Sequence, residues 1–263
     1  MNDPFVAAID HCPPQIAVQT PRSHMAAPIA PLPLPPLLRW QPVMAPPSLA
    51  DADLHLWLLT APDLLPAPSI ADGQLLSSAE RTRAAALRHP QRRACWVQAR
   101  VACRRILGGY LGADPAVLRF AAGPWGKPAL AGSAGRSGLA FNLSNSGNLS
   151  VLGVSAGLPL GVDCEWLRPR SLAVARRMFD AATVQALTQR TGADRWLAYH
   201  VAWTTLEARV KADGRGLSRH REPDLPGLLV GHVRAHPDVL CAVARQRLPA
   251  VSAWVGLRLA GAD

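Results

Sequence analysis

Two carboxylates, Asp163 and Glu165, sit two residues apart in the run G-V-D-C-E over 161–165. In an extended strand alternate side chains share a face, so the pair points one way while Cys164 turns into the core. Side by side the acids repel unless a cation, a shared proton or water lies between them. A magnesium site has this form, because the ion keeps octahedral geometry and takes one or two carboxylates together with phosphates and waters. A solvated strand end has it too.

Glu207 and Lys211 make a second pair, i and i+4 on one helical face, within W-T-T-L-E-A-R-V-K-A-D-G-R-G-L over 203–217. The plain alternative is an ordinary helical ion pair, worth about 0.3–0.5 kcal/mol. Of the 28 basic residues 26 are arginine, and only Lys127 and Lys211 are lysine. Lysine supplies a compact ammonium and a proton that guanidinium does not release. That favours a task for each, with chance placement as the competing reading. Lys127 stands beside Gly126 in the tight turn G-P-W-G-K-P-A-L, 123–130. The run F-N-L-S-N-S-G, 141–147, puts Asn142, Ser144 and Asn145 at a strand end, where hydroxyl, amide and backbone N–H groups can grip phosphate oxygens. Such runs also simply make turns.

The elements that must position these groups follow from pattern and punctuation. A strand is predicted over 54–59, and Ser77 with Glu80 forms a capping box that opens a helix through about 87. A longer helix, 91–111, places Trp96, Ala99, Cys103, Ile106, Leu107 and Tyr110 on one stripe and Arg93, Arg100 and Arg104 on a basic ridge. The ridge reads equally as a solvated face. Strands are predicted over 117–120, 139–143, 149–155 and 160–166, and helices over 172–179, 181–191 (capped by Asp180) and 194–212. Three short strands near 228–234, 239–242 and 251–257 close the chain. The order predicts an α+β protein of two similar halves: an N-terminal lobe over 51–156 and a C-terminal lobe over 157–263. Residues 1–50, rich in proline and alanine, read as a disordered extension.

The five cysteines are scattered without zinc spacing, as expected of reduced thiols in a cytoplasmic protein. No unbroken apolar run suggests a secretory signal, a spanning helix or a membrane partner. A net charge of +10 favours polyanionic partners. Nucleic acid is not expected, since no zinc finger or aromatic RNA-binding motif accompanies the charge.

Taken together and in order, these segments resemble the larger, two-lobed 4'-phosphopantetheinyl transferases that activate peptide and polyketide synthases of secondary metabolism. The resemblance runs from about residue 75 to 217, through an L-S-x-x-E helix start, G-K-P, F-N-x-S-x-S-G, G-V-D-x-E and W-x-x-x-E-A-x-x-K-A-x-G-x-G-L. It implies two pseudo-symmetric lobes, each a small, mostly antiparallel sheet packed on helices, with the active site between them. It implies transfer of 4'-phosphopantetheine from coenzyme A to a serine of an apo acyl or peptidyl carrier protein, releasing 3',5'-ADP, by a monomer.

By the same resemblance Asp163, Glu165 and Glu207 hold Mg2+ against the coenzyme pyrophosphate. Glu207 acts as base toward the carrier serine and Lys211 protonates the departing nucleotide. Arg83 meets the 3'-phosphate, and Gly126, Lys127, Asn142, Ser144 and Asn145 wall the other phosphates, with Asp163 and Lys211 also touching coenzyme. Residues 214–234 are candidates for touching the carrier.

Two positions depart from the family pattern. Asn145 replaces a usual histidine, a loss on the order of 1 kcal/mol in coenzyme binding. Leu206 replaces a usual lysine, which would lie about 100° around the helix from Glu207. The alternative these departures raise is a non-catalytic binder of coenzyme A or of carrier protein.

Overall fold

In the computed structural model, which describes residues 30–51, 53–60 and 73–260, strand β2 (His55–Thr60) is apolar on both faces because both faces are covered. Leu56 and Leu58 enter one core, Trp57 and Leu59 another. Burying such a side chain stabilises the fold by about 1.5–3 kcal/mol, which is why the L-H-L-W-L-L run needs no polar alternation.

A five-stranded sheet runs in the order β1 (Gln41–Val43), β10 (Val255–Leu259), β2, β6 (Leu149–Ala156), β5 (Leu139–Ser146). The first two pairings are parallel and the others antiparallel. Helix α2 (Pro90–Leu111) lays Ala99, Cys103, Ile106 and Leu107 on one face of it. An antiparallel sheet of β7 (Leu160–Trp166), β9 (Val239–Gln246) and β8 (Leu228–His236) covers the other face through Val162, Cys164, Val233, Cys241 and Val243. A hairpin of β3 (Phe120–Ala122) and β4 (Pro128–Leu130) stands apart as a two-stranded sheet. The architecture is α+β, as the element order indicated.

Helix α1 (Ser78–Ala86) opens on the anticipated capping box, with Ser77 Oγ accepting from Glu80 N and Glu80 accepting from Ser77 N. Glu80 also takes Arg104 at 2.7 Å and Arg100 at 3.4 Å. Arg104 is fully buried and donates to the carbonyls of Pro115 and Leu118, while Arg93 donates to those of Leu87 and Ala85. The basic ridge is therefore only in part a solvated face, with Arg93 exposed and Arg104 buried. It closes the ends of neighbouring segments. Helices α3 (Leu172–Met178), α4 (Ala181–Thr188, capped by Asp180) and α5 (Gly192–Asp213) follow β7.

Three expectations are corrected. The stretch read as structureless through residue 50 contains β1, and before it Leu38 N donates to Arg234 O while Trp40 Nε1 donates to Ala235 O. Distant strand edges order it, which local periodicity does not register; residues 1–29 lie outside the described residues. The strand expected at 117–120 begins at Phe120, because Asp114 and Pro115 first make a short 3-10 turn. The last strand runs 255–259 and joins the five-stranded sheet between β1 and β2, not the second sheet.

Candidate active site

The two sheets meet along β5 and β7, and side chains join them. Asn142 Oδ1 accepts from Val162 N at 2.7 Å, and Ser144 Oγ accepts from Cys164 N at 3.1 Å. Ser146 O accepts from Trp166 Nε1 at 2.9 Å. Alternate residues of β5 thus offer acceptors to β7, a period-2 seam in place of a backbone ladder. The same seam fixes the acids: Ser144 Oγ donates to Asp163 Oδ1 at 3.0 Å and Ser146 Oγ to Glu165 Oε2 at 3.1 Å.

Helix α5 reaches these acids because it lies unusually close to β7. A methyl group at Gly161 would collide with the Ala208 carbonyl oxygen and come within 2.5 Å of Ala212 N. Ala208 and Ala212 pack on Ala242 and Ala244 of β9, so small residues on both sides permit the approach. The helix thereby brings Lys211 Nζ to 2.7 Å from Asp163 Oδ1 and 3.6 Å from Glu207 Oε2.

Asp163 is almost wholly buried, and burial pushes its carboxyl up to about 7; Lys211 opposes this while Glu207 and Glu165 reinforce it. For Lys211 burial pulls the ammonium down, but the Asp163 and Glu207 carboxylates and the hydrogen bond to Asp163 outweigh it and hold it above its usual value. One oxygen, Asp163 Oδ2, is buried and has no hydrogen-bond partner. Glu165 Oε2 is shared between Ser146 and Arg170, whose guanidinium lies 3.3 Å away. Among the described residues, no three His, Cys, Asp or Glu side chains stand together closely enough to hold a metal ion as placed. Asp163 and Glu207 are drawn to Lys211, and Glu165 to Arg170.

The donor set nevertheless suits a hard divalent cation. It consists of carboxylate and hydroxyl oxygens, includes an acceptor with no partner, and two of its acids raise the proton affinity of the third.

The other anticipated residues divide. Lys127 Nζ donates to Leu160 O at 2.9 Å and to Ala212 O at 2.8 Å, closing the C-terminal end of α5. Free carbonyls at a helix end attract cations, which explains a lysine there. Burial pulls its ammonium down to about 8, with Asp213 opposing. Gly214, in the left-handed region at φ 79°, leaves room for the Lys127 stem. Asn142 and Ser144 are buried in the seam. Asn145 is exposed, its Oδ1 accepting from Ser150 Oγ at 2.7 Å. Gly126 sits in the hairpin turn with φ 84°, and Arg83 is exposed in the last turn of α1, making no hydrogen bond or ion pair with the Asp163 cluster.

A cavity of about 460 Å³ opens beside Lys127, lined by Gly123, Pro128, Phe141, Asp213, Gly214 and Leu225 among others. A larger one, about 590 Å³, adjoins the flank of α5 carrying Leu206 and Arg209 and contains none of the three acids. The acid cluster, not cavity size, marks the chemistry.

Ser146, Arg170 and Gly161 were not anticipated as parts of the site. The alternation of polar residues at 142, 144 and 146 carried a signal for the first. Nothing local marks Arg170.

Comparison with known proteins agrees with this geometry. Residues 159–254, which include both site elements β7 and α5, match the model of the 4'-phosphopantetheinyl transferase superfamily. The chain is 33% identical over 189 residues to 4'-phosphopantetheinyl transferase HetI of Nostoc sp., covering 71% of this chain and 79% of that protein. It is 36% identical over 166 residues to putative 4'-phosphopantetheinyl transferase slr0495 of Synechocystis sp., covering 62% and 67%. With 4'-phosphopantetheinyl transferase Sfp of Bacillus subtilis it shares 26% identity over 118 residues, 45% of this chain and 51% of that one.

Proposed function

This chain belongs to the 4'-phosphopantetheinyl transferases, and from that premise we propose that it moves the 4'-phosphopantetheine of coenzyme A onto a serine of an apo acyl or peptidyl carrier protein through the Asp163, Glu207 and Lys211 cluster. It is a transferase that modifies carrier proteins and draws on coenzyme A. The observation that carries the assignment of residues is the convergence of Asp163 from β7 and Glu207 from α5 on one ammonium, Lys211 Nζ.

In the reaction, the serine oxygen forms a bond to the phosphorus that bears pantetheine, and the bond from that phosphorus to the nucleotide phosphate breaks. Glu207 takes the serine proton. Lys211, held in its charged form by two carboxylates, meets the charge that develops on departing 3',5'-ADP and supplies its proton. Asp163, with its unpartnered Oδ2, and the neighbouring Glu165 and Glu207 are the residues that would hold Mg2+. Held there, Mg2+ would supply neutralisation of the pyrophosphate charge. Ser144 and Ser146 keep the two strand acids oriented. Asn145 and Arg83 remain our choices for the coenzyme phosphates. By the family resemblance we place the enzyme in the cytoplasm as a monomer. Among the described residues no helix is long and apolar enough to cross a membrane.

Incubation with coenzyme A, Mg2+ and several apo carriers, followed by intact-protein mass spectrometry, tests the proposal. Addition of one phosphopantetheine per carrier is expected, abolished by Glu207→Gln. Folded enzyme that modifies none of them contradicts it.

A further inference from the structure

Glu165 is held by two groups that have no part in the proton transfers, and one of them is a cation. Ser146 Oγ and Arg170 Nη2 both sit on Oε2, at 3.1 and 3.3 Å. Arg170 lies five residues beyond Glu165, on the link from β7 into α3, and its side chain is about one third exposed, 32% against 20% for Glu165. The cluster therefore has three carboxylates, Asp163, Glu165 and Glu207, and two cations from the chain itself, Lys211 and Arg170. Lys211 occupies Asp163 Oδ1 and faces Glu207; Arg170 occupies Glu165. This explains why the three acids do not converge as placed.

The two cations are not equivalent. Lys211 lies between two carboxylates on a helix packed tightly to the sheet, and it is needed for the leaving group. Arg170 sits on a connecting segment at the rim and can move its guanidinium into water. The pair is partly exposed and makes one contact at 3.3 Å, so it is the weaker hold.

Resting on the metal reading given above, we propose that Arg170 is a positioning residue that competes with the divalent cation for Glu165 and thereby sets how much metal the enzyme requires. Swinging Arg170 outward frees Glu165 Oε2 for the ion. Three carboxylates then face one divalent cation and Lys211, which balances their charge. Retaining Arg170 in place would leave one positive charge in excess. Ser146 keeps Glu165 near the seam while the arginine leaves.

Mn2+, titrated into the full-length protein and followed by electron paramagnetic resonance, tests this in wild type, Arg170→Gln, Arg170→Lys, Arg168→Gln and Glu165→Gln. Half-saturation in Arg170→Gln should fall about two- to five-fold, in line with loss of a partly exposed ion pair. Arg170→Lys should stay close to wild type. Arg168 is exposed and makes no bond to Glu165, so Arg168→Gln controls for net charge. In the transfer assay the Mg2+ concentration for half-maximal rate should move in parallel while the KM for coenzyme A stays constant. An unchanged or raised midpoint in Arg170→Gln, or an equal shift in Arg168→Gln, overturns the role of Arg170. If Glu165→Gln still weakens Mn2+ binding in that case, the metal reading survives alone. Wild type that binds no Mn2+ removes both.

Discussion

Gly161 lies directly beneath Ala208, with the helix carbonyl where a β-carbon would have to be. The strand and the helix bring Asp163, Glu207 and Lys211 together because this contact is so close. Gly161→Ala is therefore expected to lower stability by about 3 kcal/mol, the upper part of the range for overpacking, and to reduce transfer more than the stability loss alone explains. Denaturant unfolding alongside activity at low temperature checks both.

Lys211 and Asp163 form a largely buried pair, so removing one partner strands the other. Lys211→Met is expected to reduce the transfer rate by about 10²–10⁴ and stability by up to about 3 kcal/mol. Adding Asp163→Asn in the same chain should recover stability and not activity. If stability does not recover, the pair is not what Lys211→Met disrupted.

The raised proton affinity of Asp163 gives a signed pH dependence. Its folded value, about 7, lies above the ordinary value of 3.8, so between these limits the folded state binds more protons than the unfolded state. Its contribution to stability is full below pH 4 and is lost as pH rises through 7. In the presence of chelator, the melting temperature of wild type relative to Asp163→Asn should decline from pH 5 to pH 8. A flat difference would show that Asp163 titrates normally.

Lys127 ties the C-terminal turn of α5 to the start of β7, donating to Ala212 O and Leu160 O. Lys127→Met leaves both without that partner, and a loss of about 1–3 kcal/mol is expected. Hydrogen exchange should rise selectively in the last turn of α5, with the N-terminal turns unchanged.

Asn145 stands exposed on β5 between Ser144 and Ser146, its side chain on the face opposite theirs. Asn145→His restores the residue usual in the resembled family, and a protonated imidazole makes the stronger bond to phosphate. The KM for coenzyme A should fall by up to about tenfold with little change in kcat. An increase in KM would place the phosphates elsewhere.

The acids of β7 and the Glu207 and Lys211 pair were legible in the sequence because strand and helix periods alone decide which side chains share a face. The α+β class followed from element order for the same reason. The destination of Lys127 was not legible: it depends on a helix end 85 residues away and on the room left at Gly214. Arg170 was hidden in a linker, where no period operates. The placement of β10 was hidden because parallel pairing between strands over 200 residues apart leaves no local mark.

That last pairing also orders events during synthesis. β10 lies between β1 and β2, so β1 cannot join the first sheet until residues 255–259 have been synthesised. Loss of residues 255–259 would therefore leave β1 and β2 without the strand that joins them, so a lesion late in the sequence unsettles strands near its start.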